Sequence, residues 1–264
     1  MLDLNALTLA LFATLAISVI AWLVSVIRHD VSIVDSLWSL MILLCLLAYV
    51  LLADNAGPRT TVLVGLLGIW AIRLSAYITI RNHGEPEDRR YRAIRENNQP
   101  FFEWKSLYIV FLFQGFLAWV ICLPVVAAVS GQTPPGPLDY AGIALYLCGM
   151  FFEVVGDYQL SRFRRSERTA NDVLDSGLWR YTRHPNYFGE AVIWWGFYLI
   201  ALSAGAWWTI FAPLLMTFLL LRVSGVAMLE KDIAARRPAY REYIRRTNAF
   251  FPGWPRSESR TLSL

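Results

Sequence analysis

Seven apolar stretches, each about long enough to cross a bilayer, constrain this chain more than any other feature. A helix needs roughly 20 mostly apolar residues to span the hydrocarbon core. Such stretches lie at about residues 6–27, 31–53, 60–80, 106–130, 138–160, 187–203 and 207–229. Of the 264 residues 56% are hydrophobic and only 17% are charged, which departs from the composition of soluble domains. The sequence therefore predicts an all-α, polytopic membrane protein of about seven transmembrane helices, formed as one integral-membrane domain over residues 1–264.

Lysine and arginine predict the orientation of these helices, because cytoplasmic loops collect basic residues. Segments 81–105 and 161–186 hold six each and the segment after residue 229 holds eight, whereas 131–137 and 204–206 hold none. This alternation predicts an outside N-terminus and a cytoplasmic C-terminus. The net charge of +4 follows from that topology and requires no nucleic-acid partner. The three histidines and three cysteines are dispersed without metal-ligand spacing, so no metal site is predicted.

A dense polar run between two apolar segments is the most informative functional pattern. Residues 177–190 read GLWRYTRHPNYFGE. Pro185 disfavours helix at the preceding residue and suits a first helical turn, which predicts a helix beginning at about Pro185. The free N–H groups of that helix, together with Arg180, Arg183 and His184, would suit a phosphate group. The alternative is a basic cytoplasmic loop that contacts lipid head groups.

The fifth predicted span carries ionisable residues at membrane depth, where such groups are costly. Glu153, Asp157 and Arg164 fall on one face of a helix that runs unbroken from about residue 138 to residue 165. A polar stripe would then lead from the membrane into the basic cytoplasmic side. The structural alternative is a set of hydrogen bonds between helices.

The third predicted span has a similar narrow polar face. Its members are Trp70, Arg73, Tyr77 and Arg81, at spacings i, i+3, i+7 and i+11. Arg73 requires a negative partner, and Asp35 in the second span is the expected one. An Asp35–Arg73 pair would suit either catalysis or a purely structural ion pair.

Three cytoplasmic segments combine arginines with tyrosines. They are residues 84–91, 177–190 and 236–246. A nucleotide suits this combination, since phosphates pair with arginine, adenine stacks on aromatic rings, and ribose hydroxyls bind asparagine and carboxylates.

The motif at 177–190, with DYQL at 157–160 and YREYIRRTNAFFP at 240–252, resembles the C-terminal domain of the steroid 5-alpha-reductase superfamily, in its bacterial branch. The resemblance covers about residues 31–255 and leaves 256–264 as a short tail. It implies a multi-pass enzyme of the bacterial inner (cytoplasmic) membrane that binds NADPH from the cytoplasmic side. The implied reaction reduces a carbon–carbon double bond conjugated to a ketone in a hydrophobic, lipid-like or steroid-like small molecule.

The resemblance also implies site residues. The implied cofactor-binding residues are Asp157, Arg164, Tyr181, Arg183, His184, Asn186, Glu190, Tyr243 and Arg246. The family's proton-donating glutamate on helix 2 and tyrosine on helix 3 fall near Asp35 and Trp70 in this sequence. Hydride attack on an enone leaves negative charge on the carbonyl oxygen, which requires a donor or cation. The predicted catalytic set is therefore Asp35, Trp70 and Arg73.

Two other functional classes stay open. One is an S-adenosylmethionine-dependent membrane methyltransferase of the isoprenylcysteine carboxyl methyltransferase type, a related fold with a similar Arg-His-Pro run. Its cofactor has no phosphate and would use the basic loop less fully. The other is a non-catalytic lipid-binding or transport protein, which would retain the polar pocket without hydride chemistry.

Overall fold

A computed structural model gives the fold, and it describes residues 2–54, 56–166, 169, 172–223, 226 and 238–256. Every regular element within these ranges is helical. In chain order the elements are α1 (Leu4–Arg28), α2 (Ile33–Leu52), α3 (Thr60–Asn82), α4 (Arg89–Asn97), α5 (Phe102–Ser130), α6 (Pro137–Arg165), a 3-10 turn (Gly177–Arg180), α7 (Pro185–Ser203), α8 (Trp207–Val223) and α9 (Pro238–Arg246). The predicted all-α class is confirmed for the described residues.

Five of these helices, α1, α2, α3, α5 and α6, are long and apolar enough to cross a membrane. Helix α8 is apolar but shorter. Helix α7 has 19 residues, but Asn186 and Glu190 in its first two turns lower its mean hydropathy. The chain is thus a helical membrane protein, while the seven spans and the orientation of the termini stay predictions. The predicted segment 207–229 lies partly outside the described residues. Of the predicted tail 256–264, residues 257–264 lie outside them entirely.

Local chemistry accounts for the helix boundaries. The carboxylate of Asp3 accepts hydrogen bonds from two N–H groups in the first turn of α1, both at 3.0 Å. That helix ends where His29 adopts a left-handed conformation with φ of 52°. Helix α7 begins at Pro185, as predicted. Helix α6 runs unbroken to Arg165, also as predicted, and three arginines in its last turn complement the helix dipole.

The chain forms two compact units. Unit 1 comprises Met1–Asp139 and Ile200–Ala212, and unit 2 comprises Tyr140–Leu199 and Pro213–Leu264. In unit 1 helix α2 is central and contacts α1, α3 and α5. The largest fully buried side chains of unit 1 are Trp70, Tyr49, Phe102, Phe111, Met41, Ile42, Leu46 and Leu63. The expectation of one integral-membrane domain stays a prediction.

A buried ion pair closes one end of unit 1. The Nε of Arg59 lies 2.6 Å from an oxygen of Asp139, and the two side chains are only 2% and 5% exposed. The guanidinium also donates to the carbonyl oxygens of Thr133 and Pro134 and to the hydroxyl of Ser203. Because every donor group of this arginine finds an acceptor, the charge is tolerated in the interior.

In unit 2, helices α6 and α7 approach each other closely at glycines. A Cβ at Gly149 would lie 2.6 Å from the carbonyl oxygen of Gly189, and a Cβ at Gly189 would lie 2.5 Å from the backbone nitrogen of Glu153. A Cβ at Gly156 would lie 3.1 Å from the backbone nitrogen of Asn186. Such close contact leaves no room for larger residues. It brings the acidic face of α6 against the polar start of α7.

Candidate functional site

The loop that precedes α7 is fixed to α6 by two side chains. The indole of Trp179 donates to the carbonyl oxygen of Gly156 at 3.1 Å, and the side-chain oxygen of Gln159 accepts from the N–H of Leu178 at 3.0 Å. Both bonds join the 3-10 turn Gly177–Arg180 to the second half of α6. The loop is therefore held in one place instead of trailing over the surface.

The same loop is fixed to the segment that follows α9. The hydroxyl of Thr182 donates to the carbonyl oxygen of Phe250 at 2.8 Å. The buried guanidinium of Arg183 donates to the carbonyl oxygens of Ile244, at 3.2 Å, and of Thr247. Ile244 lies in the last turn of α9 and Thr247 directly follows the helix, where carbonyl groups lack partners within the helix. Arg183 therefore stabilises the end of α9, and its predicted role in binding phosphate stays a prediction.

Two further predicted residues lie on α9. The hydroxyl of the buried Tyr243 donates to the carbonyl oxygen of Trp179 at 2.5 Å. This hydrogen bond also connects α9 to the loop. Arg246 lies nearer the surface, with its side chain 39% exposed, and it pairs with Asp175 at 3.4 Å and with Glu242 at 3.5 Å. Tyr243 therefore positions the loop, while Arg246 stays accessible to solvent.

A buried group of acidic and amide side chains lies where α6 meets the start of α7. The amide of Asn186 donates to the carboxylate of Asp157 at 3.0 Å, and Asp157 is only 4% exposed. Glu153, one turn earlier on α6, and Glu190, one turn later on α7, are buried as well. Three buried carboxyl groups and a half-buried amide thus lie within one helical turn of the Asp157–Asn186 hydrogen bond.

The remaining predicted cofactor residues lie on the loop before α7 and near the end of α6. The ring of His184 is buried and stacks on Tyr187, with centroids 5.6 Å apart and planes within 2°. Tyr181 is half-buried and meets Trp254 edge to face at 5.5 Å. Arg164 is exposed near the end of α6. All nine predicted cofactor residues thus lie in unit 2, on α6, on the 177–190 segment and on α9.

Unit 1 contains a second polar cluster, and it bears on the expected pairing of Asp35 with Arg73. Asp35 lies in the first turn of α2, where its carboxylate binds Arg90 at 2.5 Å and the hydroxyl of Tyr91 at 2.6 Å. The Tyr91 hydroxyl also accepts from the amide of Gln114 at 3.1 Å. The partners that the structure gives to Asp35 are thus Arg90 and Tyr91 of α4, which the sequence did not indicate.

The charges of this cluster shift the pKa values of the α4 side chains. Burial by itself lowers the pKa of the Arg90 guanidinium, but the nearby Asp35, Tyr91 and Asp88 together outweigh that effect, and the pKa is raised. Burial, and then the charge of Asp35, raises the pKa of the Tyr91 phenol well above its ordinary value. Arg90 is therefore a permanent cation at this site, and Tyr91 stays a neutral hydrogen-bond donor.

The predicted polar face of α3 is confirmed. The Tyr77 ring lies between two guanidinium groups, 5.9 Å from Arg73 and 5.8 Å from Arg81. Trp70, one turn before Arg73, is fully buried. The four residues therefore share one side of the helix, as their spacing indicated.

Several residues that build these sites were missed by the sequence reasoning. They are Arg90 and Tyr91 as partners of Asp35, and Gln159 and Trp179 as supports of the loop. Arg90 and Tyr91 belong to the basic segment 84–91 that sequence had marked as nucleotide-binding. Gln159 belongs to the DYQL motif, but its residue type alone did not indicate that its side chain accepts a hydrogen bond from the loop.

Comparisons with known proteins identify the family of the chain. A family model described as "Protein of unknown function (DUF1295)" matches residues 21–247. The chain belongs to the DUF1295 family. This DUF1295 chain is also similar to named enzymes, over a shorter region. It is 35% identical over 108 residues to 3-oxo-5-alpha-steroid 4-dehydrogenase 1 of Bos taurus, and 37% identical over 67 residues to the enzyme of that name from Mus musculus.

The extent of these matches differs. An uncharacterized protein of Schizosaccharomyces pombe is 26% identical over 94% of this DUF1295 chain and 80% of its own length. The chain covers only 42% of the Bos taurus dehydrogenase and 26% of the Mus musculus one. No solved structure matches the chain. The predicted resemblance to the steroid 5-alpha-reductase superfamily is confirmed.

Proposed function

We propose that this DUF1295 protein is a membrane oxidoreductase that uses NADPH to reduce a carbon–carbon double bond conjugated to a ketone in a lipid-like or steroid-like molecule. The observation that carries the proposal is the hydrogen bond between the half-buried Asn186 and the buried Asp157, with Glu153 and Glu190 also buried one helical turn away on α6 and α7. Buried carboxyl groups are costly and seldom serve packing alone. The similarity to 3-oxo-5-alpha-steroid 4-dehydrogenases supports a redox reaction at this site.

The donor set of unit 2 fits a dinucleotide phosphate. Carboxylate and amide groups such as Asp157, Asn186 and Glu190 suit ribose hydroxyls and a carboxamide. The exposed guanidinium groups of Arg164 and Arg180 suit phosphates. When bound, NADPH would supply the hydride that reduces the β carbon of the enone.

The other predicted residues of this site receive supporting roles in the proposal. Arg183 and Tyr243 hold the loop against α9 through backbone carbonyls, and so position its neighbours. His184, stacked on Tyr187, fixes the entry to α7. Tyr181 and Arg246, which are less buried, can contact the nucleotide directly.

The substrate side of the reaction requires stabilisation of the negative charge that develops on the carbonyl oxygen. For this role we propose Arg73 as the cation and the indole N–H of Trp70 as a donor. The carboxylate of Asp35 already accepts bonds from Arg90 and Tyr91, so we assign it a positioning role in unit 1. We also propose the bacterial inner membrane as the location, with the nucleotide bound from the cytoplasm.

Nucleotide binding by the acidic and amide group is tested with Asn186→Ala and Glu190→Gln. Each variant removes a group proposed to contact NADPH, so its dissociation constant should rise at least about tenfold, equivalent to 1.4 kcal/mol. Isothermal titration with protein in lipid nanodiscs measures the constant. Asn5→Ala is the matched control, because Asn5 is exposed at the start of α1.

The outcomes separate the functional classes. Weaker NADPH binding in both variants, with the control unchanged and the melting temperature of the unliganded protein preserved, supports the proposal. Unchanged NADPH affinity in both variants would show that the buried group is structural. Binding of S-adenosylmethionine without binding of NADPH would overturn the reductase proposal in favour of a methyltransferase.

A further inference from the structure

The segment after α9 presents an indole ring to solvent beside the 177–184 loop. Trp254 is 83% exposed, yet both its backbone and its ring are positioned. The N–H of Gly253 donates to the carbonyl oxygen of Tyr181 at 3.0 Å, and the rings of Tyr181 and Trp254 meet edge to face at 78°. Two residues later, the N–H of Arg256 donates to the carbonyl oxygen of Arg246 at 3.0 Å. Backbone hydrogen bonds on both sides of Trp254 therefore fix the position of the indole.

A tight turn brings the chain to this position. The amide of Asn248 donates to the carbonyl oxygen of Phe251 at 3.3 Å. A Cβ at Gly253 would lie 2.5 Å from that same amide nitrogen, so glycine allows the close approach. The turn directs Trp254 back towards the loop instead of away from it.

Exposure of this ring serves no evident packing purpose. An indole that keeps most of its surface in water contributes little to folding, because the hydrophobic effect scales with the area that is buried. Phe251 on the same segment is also exposed, but it packs against Phe188 and Phe250. Trp254 differs because its aromatic neighbour is Tyr181, within the predicted cofactor motif.

Cationic groups accompany the aromatic pair. Arg180 directly precedes Tyr181 and is exposed, and Arg256 is exposed two residues after Trp254. Aromatic faces bind the flat rings of nucleobases, and guanidinium groups bind the attached phosphates. The combination matches the adenosine half of a dinucleotide in both shape and charge.

We infer that Trp254 and Tyr181 bind the adenine ring of the nucleotide, with Arg180 placed for its phosphates. This inference rests on the proposed use of NADPH. The adenine half is favoured over the nicotinamide half because a solvent-exposed ring cannot shield hydride transfer from water. Adenine takes no part in the chemistry and tolerates an open site.

A truncated nucleotide tests the assignment. Reduced nicotinamide mononucleotide carries the same reactive ring as NADPH but lacks the adenosine half. Trp254→Ala should raise the dissociation constant of NADPH at least about tenfold, equivalent to 1.4 kcal/mol, and change that of the mononucleotide by less than about twofold. Trp254→Phe, which keeps an aromatic face, should retain most of the NADPH affinity. Phe251→Ala is the matched control and should behave as the wild type with both ligands.

The possible failures are distinguishable. If Trp254→Ala binds NADPH as tightly as the wild type, the inference is overturned while the proposed function stands, and contact of the indole with lipid becomes the better account. Equal losses of affinity for both ligands would also overturn it, because they indicate a general disturbance of the site. A wild-type protein that binds neither ligand would overturn the proposed function itself, and this inference with it.

Discussion

The cluster that joins α4 to the start of α2 yields a quantitative prediction. The perturbations are Asp35→Asn, Tyr91→Phe and the double variant. Tyr91 is 95% buried, and its hydroxyl donates to Asp35 at 2.6 Å and accepts from Gln114 at 3.1 Å. Removing the hydroxyl leaves a carboxylate and an amide each without one partner. We expect Tyr91→Phe to cost about 1.5–3 kcal/mol of unfolding free energy, the range for a hydrogen bond to a charged group.

The charge removal in Asp35→Asn acts mainly on Arg90. The side chains of this ion pair are 25% and 16% exposed, so solvent screens part of their attraction. Arg90 also keeps Asp88 as a partner, at 3.1 Å. The expected cost is therefore below the 3–5 kcal/mol that breaking a fully buried pair brings, and we place it at about 1–3 kcal/mol.

Tyr91→Phe removes the Asp35–Tyr91 hydrogen bond and Asp35→Asn weakens it by replacing a charged acceptor with a neutral one, so their effects should not add. The double variant should lose less than the sum of the single losses, by about 1–2 kcal/mol, within the range observed for residues in contact. Equilibrium unfolding in mixed detergent measures all three variants, and Tyr158→Phe, at an exposed site on α6, is the control. Additive losses within about 0.5 kcal/mol would refute the contact between the two residues. Loss of turnover in Asp35→Asn at unchanged stability would instead support the catalytic role predicted from the sequence.

Two further predictions concern charged groups in unit 1. Asp139→Asn should cost about 3–5 kcal/mol, since it leaves the buried Arg59 without its counter-charge; denaturant unfolding measures the loss, and a loss below about 1 kcal/mol would contradict a buried pair. Burial alone would raise the pKa of Glu87, but the hydrogen bonds from Arg95 and from the N–H of Val31, together with the charges of Arg95 and Arg92, outweigh it and the pKa is lowered. The stability that Glu87 contributes is therefore present above its ordinary pKa of 4.5 and is lost as the pH falls through its lower pKa in the folded protein. In the wild type, the rate of protease cleavage of α4 should increase as the pH falls through that interval, whereas in Glu87→Gln the rate should not depend on pH there. Equal pH dependence in both proteins would show that Glu87 does not cause the loss of stability in acid.

Local signals made much of the site predictable. Pro185 marks the start of α7 because its ring excludes helix at the residue before it and fits the first turn. The acidic residues of α6 could be placed on one face because helical periodicity depends only on spacing. Glu153 and Asp157 are both buried in the structure. The polar face of α3 followed from spacing in the same way.

Pairing between distant segments could not be predicted in this way. Asp35 and Arg90 are 55 residues apart, and no periodic pattern indicates that α4 returns to the start of α2. The partners of Arg183 could not be predicted either, because the residue type shows that the side chain is a cation but does not show which groups accept its hydrogen bonds. Its acceptors are backbone carbonyls at the end of α9, which every helix end exposes whatever its sequence.

Transfer of deuterium from the nicotinamide to the substrate tests the proposed reduction. Protein in nanodiscs is incubated with NADPH deuterated at C4 of the nicotinamide, on either face, and with a 3-oxo-4-ene steroid or a simpler lipid enone. Our account predicts a saturated ketone that carries one deuterium on the former β carbon from one of the two labelled faces. NADPH should be oxidised in equal amount. Formation of the saturated ketone without deuterium from either labelled cofactor, or methyl transfer from S-adenosylmethionine without any NADPH oxidation, would contradict it.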